Sequence, residues 1–138
     1  MNRKPLAIVA SVAILLIGVS FYILTHRERV HIRARVEAMR QAIRNNDTAG
    51  VAALVMPTAR SAYQTKEGLE HFRVHVGTDK SVPSVSVTGD YATVTPHRKY
   101  HFDKVLKGNP LGILPGGNAF DMLKENGEWY FTGVVHID

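Results

Sequence analysis

One apolar run constrains the fold of this chain more than any other feature. Residues 6–24, LAIVASVAILLIGVSFYIL, form a stretch of 19 residues without a charge, Pro, Asn or Gln. As a helix this stretch extends about 28 Å, close to the hydrocarbon thickness of a bilayer. The run therefore predicts a transmembrane anchor in residues 1–25 and a separate folded domain in residues 26–138.

A cleaved signal peptide is the alternative interpretation of this run. Basic residues precede it, and Gly-Val-Ser at positions 18–20 offers a small-residue cleavage site. The apolar run nevertheless continues through Phe-Tyr-Ile-Leu at 21–24 and then meets the charged stretch HRER. An interfacial aromatic residue followed by basic residues is typical of a retained anchor, so we expect a single-pass protein with an uncleaved N-terminal helix.

The positive charge is concentrated beside the apolar run. Residues 25–44 contain six Arg against two Glu, whereas residues 45–138 contain nine Lys or Arg against ten Asp or Glu. Basic residues near a bilayer surface are attracted to anionic headgroups by about 1 kcal/mol each. The sequence therefore predicts a basic membrane interface formed by Arg27, Arg29, Arg33 and Arg35. Because the rest of the domain is near neutral, nucleic acid is not expected as a partner.

The side of the membrane on which the domain lies has two interpretations. Counted literally, the positive-inside rule places the domain in the cytoplasm, because four Arg lie within 15 residues after the run and only Arg3 and Lys4 precede it. A short basic start before one apolar run is instead typical of export anchors. We expect an extracytoplasmic, periplasmic domain, with the cytoplasmic side as the alternative.

Helical periodicity follows the apolar run. Four apolar residues recur every three or four positions and predict a helix that continues directly from the run, namely Ile32, Val36, Met39 and Ile43. Residues 47–55 predict a short second helix that ends before Pro57. Residues 65–76 predict a third, although residues 72–76 also alternate as a strand would.

A period of two begins near residue 82 and predicts an antiparallel sheet. Gly89-Asp90 and Asn126-Gly127 are turn signals between alternating apolar runs, and a long loop is expected over residues 103–118. Helices followed by strands predict an α+β domain with two or three helices packed on a curved antiparallel sheet.

Two stretches of the domain resemble a known superfamily. MRQAIRNNDTAGVAALVMP is similar to the helical opening of nuclear-transport-factor-2-like domains, and the ending VSVTGDYATVT … FDMLKENGEWYFTGV is similar to their late hairpins. The resemblance implies a cone-shaped sheet around an internal cavity, which active relatives line with carboxylate, hydroxyl or imidazole groups. An anchored domain of this kind also resembles the inner-membrane scaffold proteins of type IV secretion systems.

Four polar residues are candidates for lining such a cavity, namely Tyr91, Tyr100, Asp121 and His136. By strand alternation, Asp121 and His136 point away from the face that carries Trp129. If the Trp129 face is the core, both are ordinary solvent-facing residues, and this is the arrangement we expect. If the Trp129 face is the back of the sheet, they line the cavity.

Other patterns do not predict a metal or cofactor site. His71 and His75 are spaced for two ligands on one helix face, but no strong third ligand accompanies them. PHRKYHF is expected to be a charged sheet edge rather than a nucleic-acid strand. The glycine-rich residues 107–118 lack the Gly-Lys-Ser/Thr ending of a phosphate-binding loop. The absence of cysteine excludes disulfides and thiolate ligands.

The same glycine-rich loop contains unexpected apolar residues, namely Leu106, Leu111, Ile113 and Leu114. They either cover the mouth of the domain or form a contact patch for a partner protein or the bilayer surface. Without a convergent polar set, we expect a non-enzymatic accessory or scaffold subunit that contacts other subunits of a membrane complex. The alternative is a small apolar ligand-binding or isomerase/dehydratase-like domain that uses the cavity.

Overall fold

The computed structural model of the chain describes residues 4–78, 80–96 and 119–136. Four helices precede four strands: α1 (Lys4–Arg44), α2 (Thr48–Leu54), α3 (Arg60–Tyr63), α4 (Lys66–His75), β1 (Ser84–Thr88), β2 (Tyr91–Thr95), β3 (Ala119–Glu125) and β4 (Glu128–His136). The strands form one open antiparallel sheet in the order β1-β2-β3-β4. The predicted α+β class with a long N-terminal helix and an antiparallel sheet is therefore confirmed.

Helix α1 links the apolar run to the domain without a break. It contains 41 residues, which corresponds to a length of about 60 Å. Side chains at positions 6–24 are exposed, and this part is long and apolar enough to cross a membrane. The stripe predicted from Ile32 to Ile43 is buried. One helix therefore contains both the apolar segment and the first helix of the domain. The absence of Pro and Gly between the two predicts this continuity.

Polar residues end α1 and begin the next helix. Asn46 takes a left-handed conformation (φ 51°), which Asn tolerates better than most residues. The Asp47 side chain then accepts a hydrogen bond of 2.9 Å from the Gly50 backbone N–H and caps α2. Helix α4 continues to His75, so residues 72–75 are helical. The one-turn helix α3 was not predicted, because four residues are too few for a periodic signal.

The sheet is built from two hairpins. Thr88 pairs with Tyr91 around the first turn, and Glu125 pairs with Glu128 around the second. In the second turn, Asn126 and Gly127 both have positive φ (51° and 81°), as a tight Asn-Gly hairpin turn requires. The Lys124 N–H donates to the Asp90 carbonyl at 2.8 Å, so both turns lie at the same end of the sheet.

Aromatic side chains fill the layer between the sheet and the helices. Trp129 is 1% exposed, and Phe131 packs against Phe72 and Phe120 with ring centroids 5.6 and 5.3 Å apart. The chain after α2 joins the free edge of β4, where the Met56 N–H donates to the Phe131 carbonyl at 3.0 Å. The Trp129 face of the sheet is therefore its core face.

Candidate functional site

The junction between the apolar segment (residues 6–24) and the domain contains a charged cluster. Glu28 lies on α1 one turn beyond the segment and contacts the end of the second hairpin. Its Oε1 accepts from Lys124 Nζ at 2.8 Å, and its Oε2 accepts from the indole Nε1 of Trp129 at 2.6 Å. The Lys124 ammonium also lies 5.9 Å from the Trp129 ring centroid. We call Glu28, Lys124 and Trp129 the junction cluster.

The junction cluster holds Glu28 in its ionised form. The hydrogen bond from Lys124 is the main reason that the pKa of this carboxyl is lowered, and the Trp129 hydrogen bond adds to it. Burial acts in the opposite direction but is outweighed. Charge-assisted hydrogen bonds are roughly twice as strong as neutral ones. The cluster therefore ties α1 to the end of the second hairpin.

Arginines on α1 bind backbone carbonyls of the domain. Arg35 Nε donates to the Trp129 carbonyl at 2.8 Å, and its guanidinium lies 5.3 Å from the Tyr130 ring centroid. Three more arginines donate to the connection between α4 and β1, namely Arg33 to Pro83 (3.3 Å), Arg40 to Ser81 (2.7 Å) and Arg44 to Thr78 (3.0 Å). Most of the arginines in the half of α1 that packs on the domain therefore donate hydrogen bonds within the fold.

The four arginines expected at the membrane interface thus differ in their surroundings. Arg27 and Arg29 are exposed to solvent. Arg33 and Arg35 are half-buried and hydrogen-bonded to the domain. The exposed pair is the one nearer the apolar segment, so it is better placed than the other two to meet anionic groups beside that segment.

Three of the four candidate cavity residues come together, but on the outer face of the sheet. Asp121 is 6% exposed, and its Oδ2 lies 2.8 Å from His136 Nε2. Thr93 Oγ1 donates to Asp121 Oδ1 at 3.5 Å. The nearby Asp121 carboxylate is the main reason that the pKa of Tyr91 is raised, because it stabilises the protonated phenol. We call these four residues the outer-face cluster.

The outer-face cluster lies opposite the aromatic core. Its β2 members alternate with Ala92 and Val94, which are both fully buried against the helices. Asp121 and His136 therefore face away from Trp129, as strand alternation predicts. Only His136 is solvent-facing as expected, because Asp121 is buried beneath its hydrogen-bond partners His136 and Thr93. Tyr100 lies outside the described residues, as do the apolar loop residues Leu106, Leu111, Ile113 and Leu114.

The histidine pair of α4 is half-buried. His71 Nε2 lies 3.0 Å from the Gly133 carbonyl, and the His71 and His75 rings are 4.8 Å apart. The Tyr63 ring packs on His71 and also lies over Gly133. In residues 4–78, 80–96 and 119–136 no group of three His, Cys, Asp or Glu side chains could hold a metal ion.

Two grooves border the domain end of the apolar segment. The first, the α1–β1 groove, has a volume of about 470 Å³ and is lined by Phe21, Leu24, Thr25, Glu28, Val87, Thr88 and Gly89. The second, the basic groove, has a volume of about 210 Å³ and is lined by Phe21, Tyr22, Thr25, His26 and Arg29. They share Phe21 and Thr25 and therefore lie on either side of one helix face.

Comparison of the chain with protein-family models, curated proteins and solved structures finds no match. The junction cluster is the feature that inspection of the sequence missed. The available signal was Glu28 itself, the first of two acidic residues within the Arg-rich residues 25–44 that follow the apolar run.

Proposed function

We propose that the protein is a single-pass, membrane-anchored, non-enzymatic accessory or scaffold subunit. Its α+β domain makes protein–protein contacts within a larger membrane complex, and it lies on the extracytoplasmic side. The observation that carries the proposal is that one unbroken helix supplies both the exposed apolar segment and the central helix of the core. A flexible linker would let the domain sample many positions, whereas this helix sets its height and orientation.

The junction cluster supports a positional role. Glu28 ties α1 to the second hairpin one turn beyond the apolar segment, and Arg35 ties it there again through the Trp129 carbonyl. These bonds resist bending of the domain about the helix. A subunit that presents a surface at a constant distance from the bilayer needs that rigidity, and a freely tethered enzyme does not.

The arrangement of polar groups supports a non-enzymatic role. Acid–base chemistry on a small substrate requires polar groups that converge in a concave, largely apolar pocket. Here the Asp121 carboxylate, His136 and Tyr91 meet on the outer face, while aromatic rings occupy the helix-facing side. The hydrogen bonds within the outer-face cluster are consistent with a structural role for it.

The exposed surface of the apolar segment supports membrane anchoring. Its large side chains are mostly more than half exposed, an arrangement that is unfavourable in water and favourable in lipid. Small residues along the segment would allow close approach of another helix, namely Ala10, Ala13, Gly18 and Ser20. We therefore propose that the partners are the lipid bilayer and other membrane subunits.

A nuclear-transport-factor-2-like, cone-shaped domain is the finer fold assignment that we propose. The order of helices before a meandering antiparallel sheet supports it, as does the buried Trp129 that follows the Asn-Gly turn. An experimental structure that includes residues 97–118 tests the assignment. A sheet that remains flat, without curving around the helices, would reject the cone.

Purification of the full chain in mild detergent tests the function. We expect flotation with membranes, resistance to carbonate extraction, and co-elution with a defined set of membrane proteins. A matched variant carries Gly-Gly-Ser-Gly-Gly inserted after Leu24. The insertion leaves the domain intact but lets it rotate freely relative to the apolar segment. Loss of the partners in this variant supports a positional role. A wild-type chain that elutes alone as a monomer, or that is found in the aqueous fraction, contradicts the proposal.

The side of the membrane is tested with reporter fusions at Asp138. An active alkaline phosphatase fusion together with a dark cytoplasmic fluorescent fusion is the expected result, because the phosphatase folds only after export. An inactive phosphatase with a bright fluorescent reporter would place the domain in the cytoplasm, as the literal charge count predicts.

A further inference from the structure

We propose that the turn between β1 and β2 is a second contact between the protein and the bilayer. Thr88 and Gly89 lie in the headgroup layer beside the end of the apolar segment, so the domain rests on the membrane with this end of its sheet. The inference rests on the proposed membrane anchoring and holds for either side of the membrane. It deepens the proposed function because it identifies the surface of the domain that the bilayer covers.

The chain that leads into β1 runs along α1 toward the apolar segment. Arg44 donates to the Thr78 carbonyl at 3.0 Å, and Arg33 donates to the Pro83 carbonyl at 3.3 Å. Arg33 is eleven positions nearer the segment than Arg44, a distance of about 16 Å along the helix. Strand β1 begins directly after Pro83 and continues toward the segment. Its last residues are therefore the ones that come closest to the bilayer.

The end of β1 and the end of the apolar segment line the same groove. Phe21 and Leu24 form one wall of the α1–β1 groove, and Val87, Thr88 and Gly89 form the facing wall. Phe21 and Leu24 are 71% and 60% exposed, and a Cβ added at Gly89 would meet no atom within 4 Å. The turn is therefore open to the same surroundings as the last turns of the segment.

The length of the apolar segment places this groove at the bilayer surface. Its 19 residues extend about 28 Å, so the hydrocarbon ends near Leu24, and the headgroup layer covers roughly the next 5–8 Å. The α1 residues of the groove run from Phe21 to Glu28, which is from about 5 Å below Leu24 to about 6 Å above it. The facing turn therefore lies in the headgroup layer.

The turn between β3 and β4 lies farther from the bilayer. Gly127 and Glu128 line a groove together with His31 and Arg35 of α1. His31 and Arg35 are seven and eleven positions beyond Leu24, a rise of about 10–16 Å, which is outside the headgroup layer. Of the two hairpin turns, the β1–β2 turn is therefore the one that meets lipid.

The charges beside the β1–β2 turn favour contact with lipid phosphates. Arg27 and Arg29 are exposed on α1, whereas Glu28 is already paired with Lys124 at 2.8 Å. The turn itself contributes one exposed carboxylate, that of Asp90. Three basic side chains thus accompany two acidic ones, and the excess of positive charge is attracted to anionic headgroups.

Site-directed spin labelling tests the contact, because a chain without Cys accepts a single label at any chosen position. The full chain with Leu24→Cys, Thr88→Cys, Ser86→Cys or Ser84→Cys is labelled and reconstituted in vesicles of phosphatidylethanolamine and phosphatidylglycerol. Electron paramagnetic resonance then measures the depth of each label from its accessibility to oxygen and to a water-soluble nickel chelate. Unchanged melting temperatures show that each variant is folded.

The three β1 positions form a matched series, because all are exposed and alternate positions share one face of a strand. The Thr88→Cys label should lie within about 8 Å of the depth of the Leu24→Cys label. Labels at Ser86→Cys and Ser84→Cys should lie up to about 7 and 13 Å farther from the bilayer centre than the Thr88→Cys label.

The depths separate a failure of the turn contact from a failure of the anchor. A Leu24→Cys label that is fully accessible to the nickel chelate rejects the proposed anchoring itself. A protected Leu24→Cys label with a fully accessible Thr88→Cys label rejects the turn contact alone. Equal depths at Thr88→Cys and Ser84→Cys also overturn the proposal, because β1 would then lie parallel to the bilayer surface instead of pointing toward it.

Discussion

Replacement of Glu28 by Leu removes the acceptor that joins α1 to the second hairpin. The Trp129 indole N–H, in a side chain that is 1% exposed, loses its 2.6 Å bond to Glu28. Loss of a partner by a buried polar group costs about 1–3 kcal/mol. Loss of the half-buried ion pair with Lys124 adds about 0.2–1 kcal/mol. We therefore expect Glu28→Leu to lower the free energy of unfolding by about 1–4 kcal/mol.

Thermal unfolding of the full chain in detergent measures this loss. For a domain of roughly 110 residues, 1 kcal/mol corresponds to about 4 °C in the melting temperature, so the expected decrease is about 4–16 °C. The chain has one Trp, so its fluorescence reports directly on the junction cluster. The matched control is Glu70→Leu, which removes an ion pair with Arg73 from a side chain that is 58% exposed.

The comparison of these two variants decides the interpretation. The control should lose less than about 1 kcal/mol, because exposed ion pairs contribute little. If Glu28→Leu also melts within about 2 °C of the wild type, the carboxylate does not tie the helix to the hairpin. The rigidity invoked for the proposed function would then have no support at this position.

The same carboxyl predicts a pH dependence. The pKa of Glu28 is lowered from 4.5, first by the Lys124 hydrogen bond, so folding favours the ionised form. Its contribution to stability is fully present above its unfolded pKa and is lost as the pH falls through the lower folded pKa. The stability difference between the wild type and Glu28→Gln should therefore shrink below pH 4.5 in acid titrations. A difference that grows on acidification would reverse the assigned sign.

Three further changes test other parts of the fold. Gly133→Ala should cost about 2–5 kcal/mol in denaturant unfolding, because Gly133 has φ 84° and an added Cβ would meet the Tyr63 hydroxyl. Asp121→Asn should lower the pKa of Tyr91 in ultraviolet titration, since the nearby Asp121 carboxylate favours the neutral phenol. Arg40→Met should cost about 1–3 kcal/mol, because its buried guanidinium donates to the α4–β1 connection.

Matched variants serve as controls for these changes. Gly89→Ala also requires a positive φ (60°) but meets open space, so it should cost only about 1–2 kcal/mol. Tyr91→Phe should remove the ultraviolet titration step whose pKa Asp121→Asn is expected to lower. Arg44→Met removes a more exposed guanidinium and should cost less than Arg40→Met. Equal costs within either stability pair, or a Tyr91 pKa that Asp121→Asn leaves unchanged, would contradict the packing described here.

Local patterns predicted the elements whose formation depends on neighbouring residues. The spacing of Ile32, Val36, Met39 and Ile43 predicted a helix face, and these residues form the buried stripe of α1. The Asn126-Gly127 pair predicted the second hairpin, because both positions need positive φ. Helix α3 escaped prediction because a single turn has no period.

The candidate site was less predictable because its contacts are distant in sequence. Alternation showed that Asp121 and His136 share a face, but it did not indicate that their side chains are 2.8 Å apart. That distance depends on the irregular register between β3 and β4, where Phe120 pairs with Val135 and Met122 pairs with Phe131. A register shift of this kind cannot be recognised from the alternation of apolar and polar residues along a single strand.

By itself, the sequence determined an apolar helix that continues into an α+β domain and two hairpins with their turns. Each of these follows from periodicity and from the backbone preferences of adjacent residues. Only the tertiary structure decided the partners of the charged groups. Glu28 meets Lys124 and Trp129 across 96 and 101 positions. A pattern of charges specifies which residues need partners, but only the packing of α1 on the sheet specifies which partners are within reach.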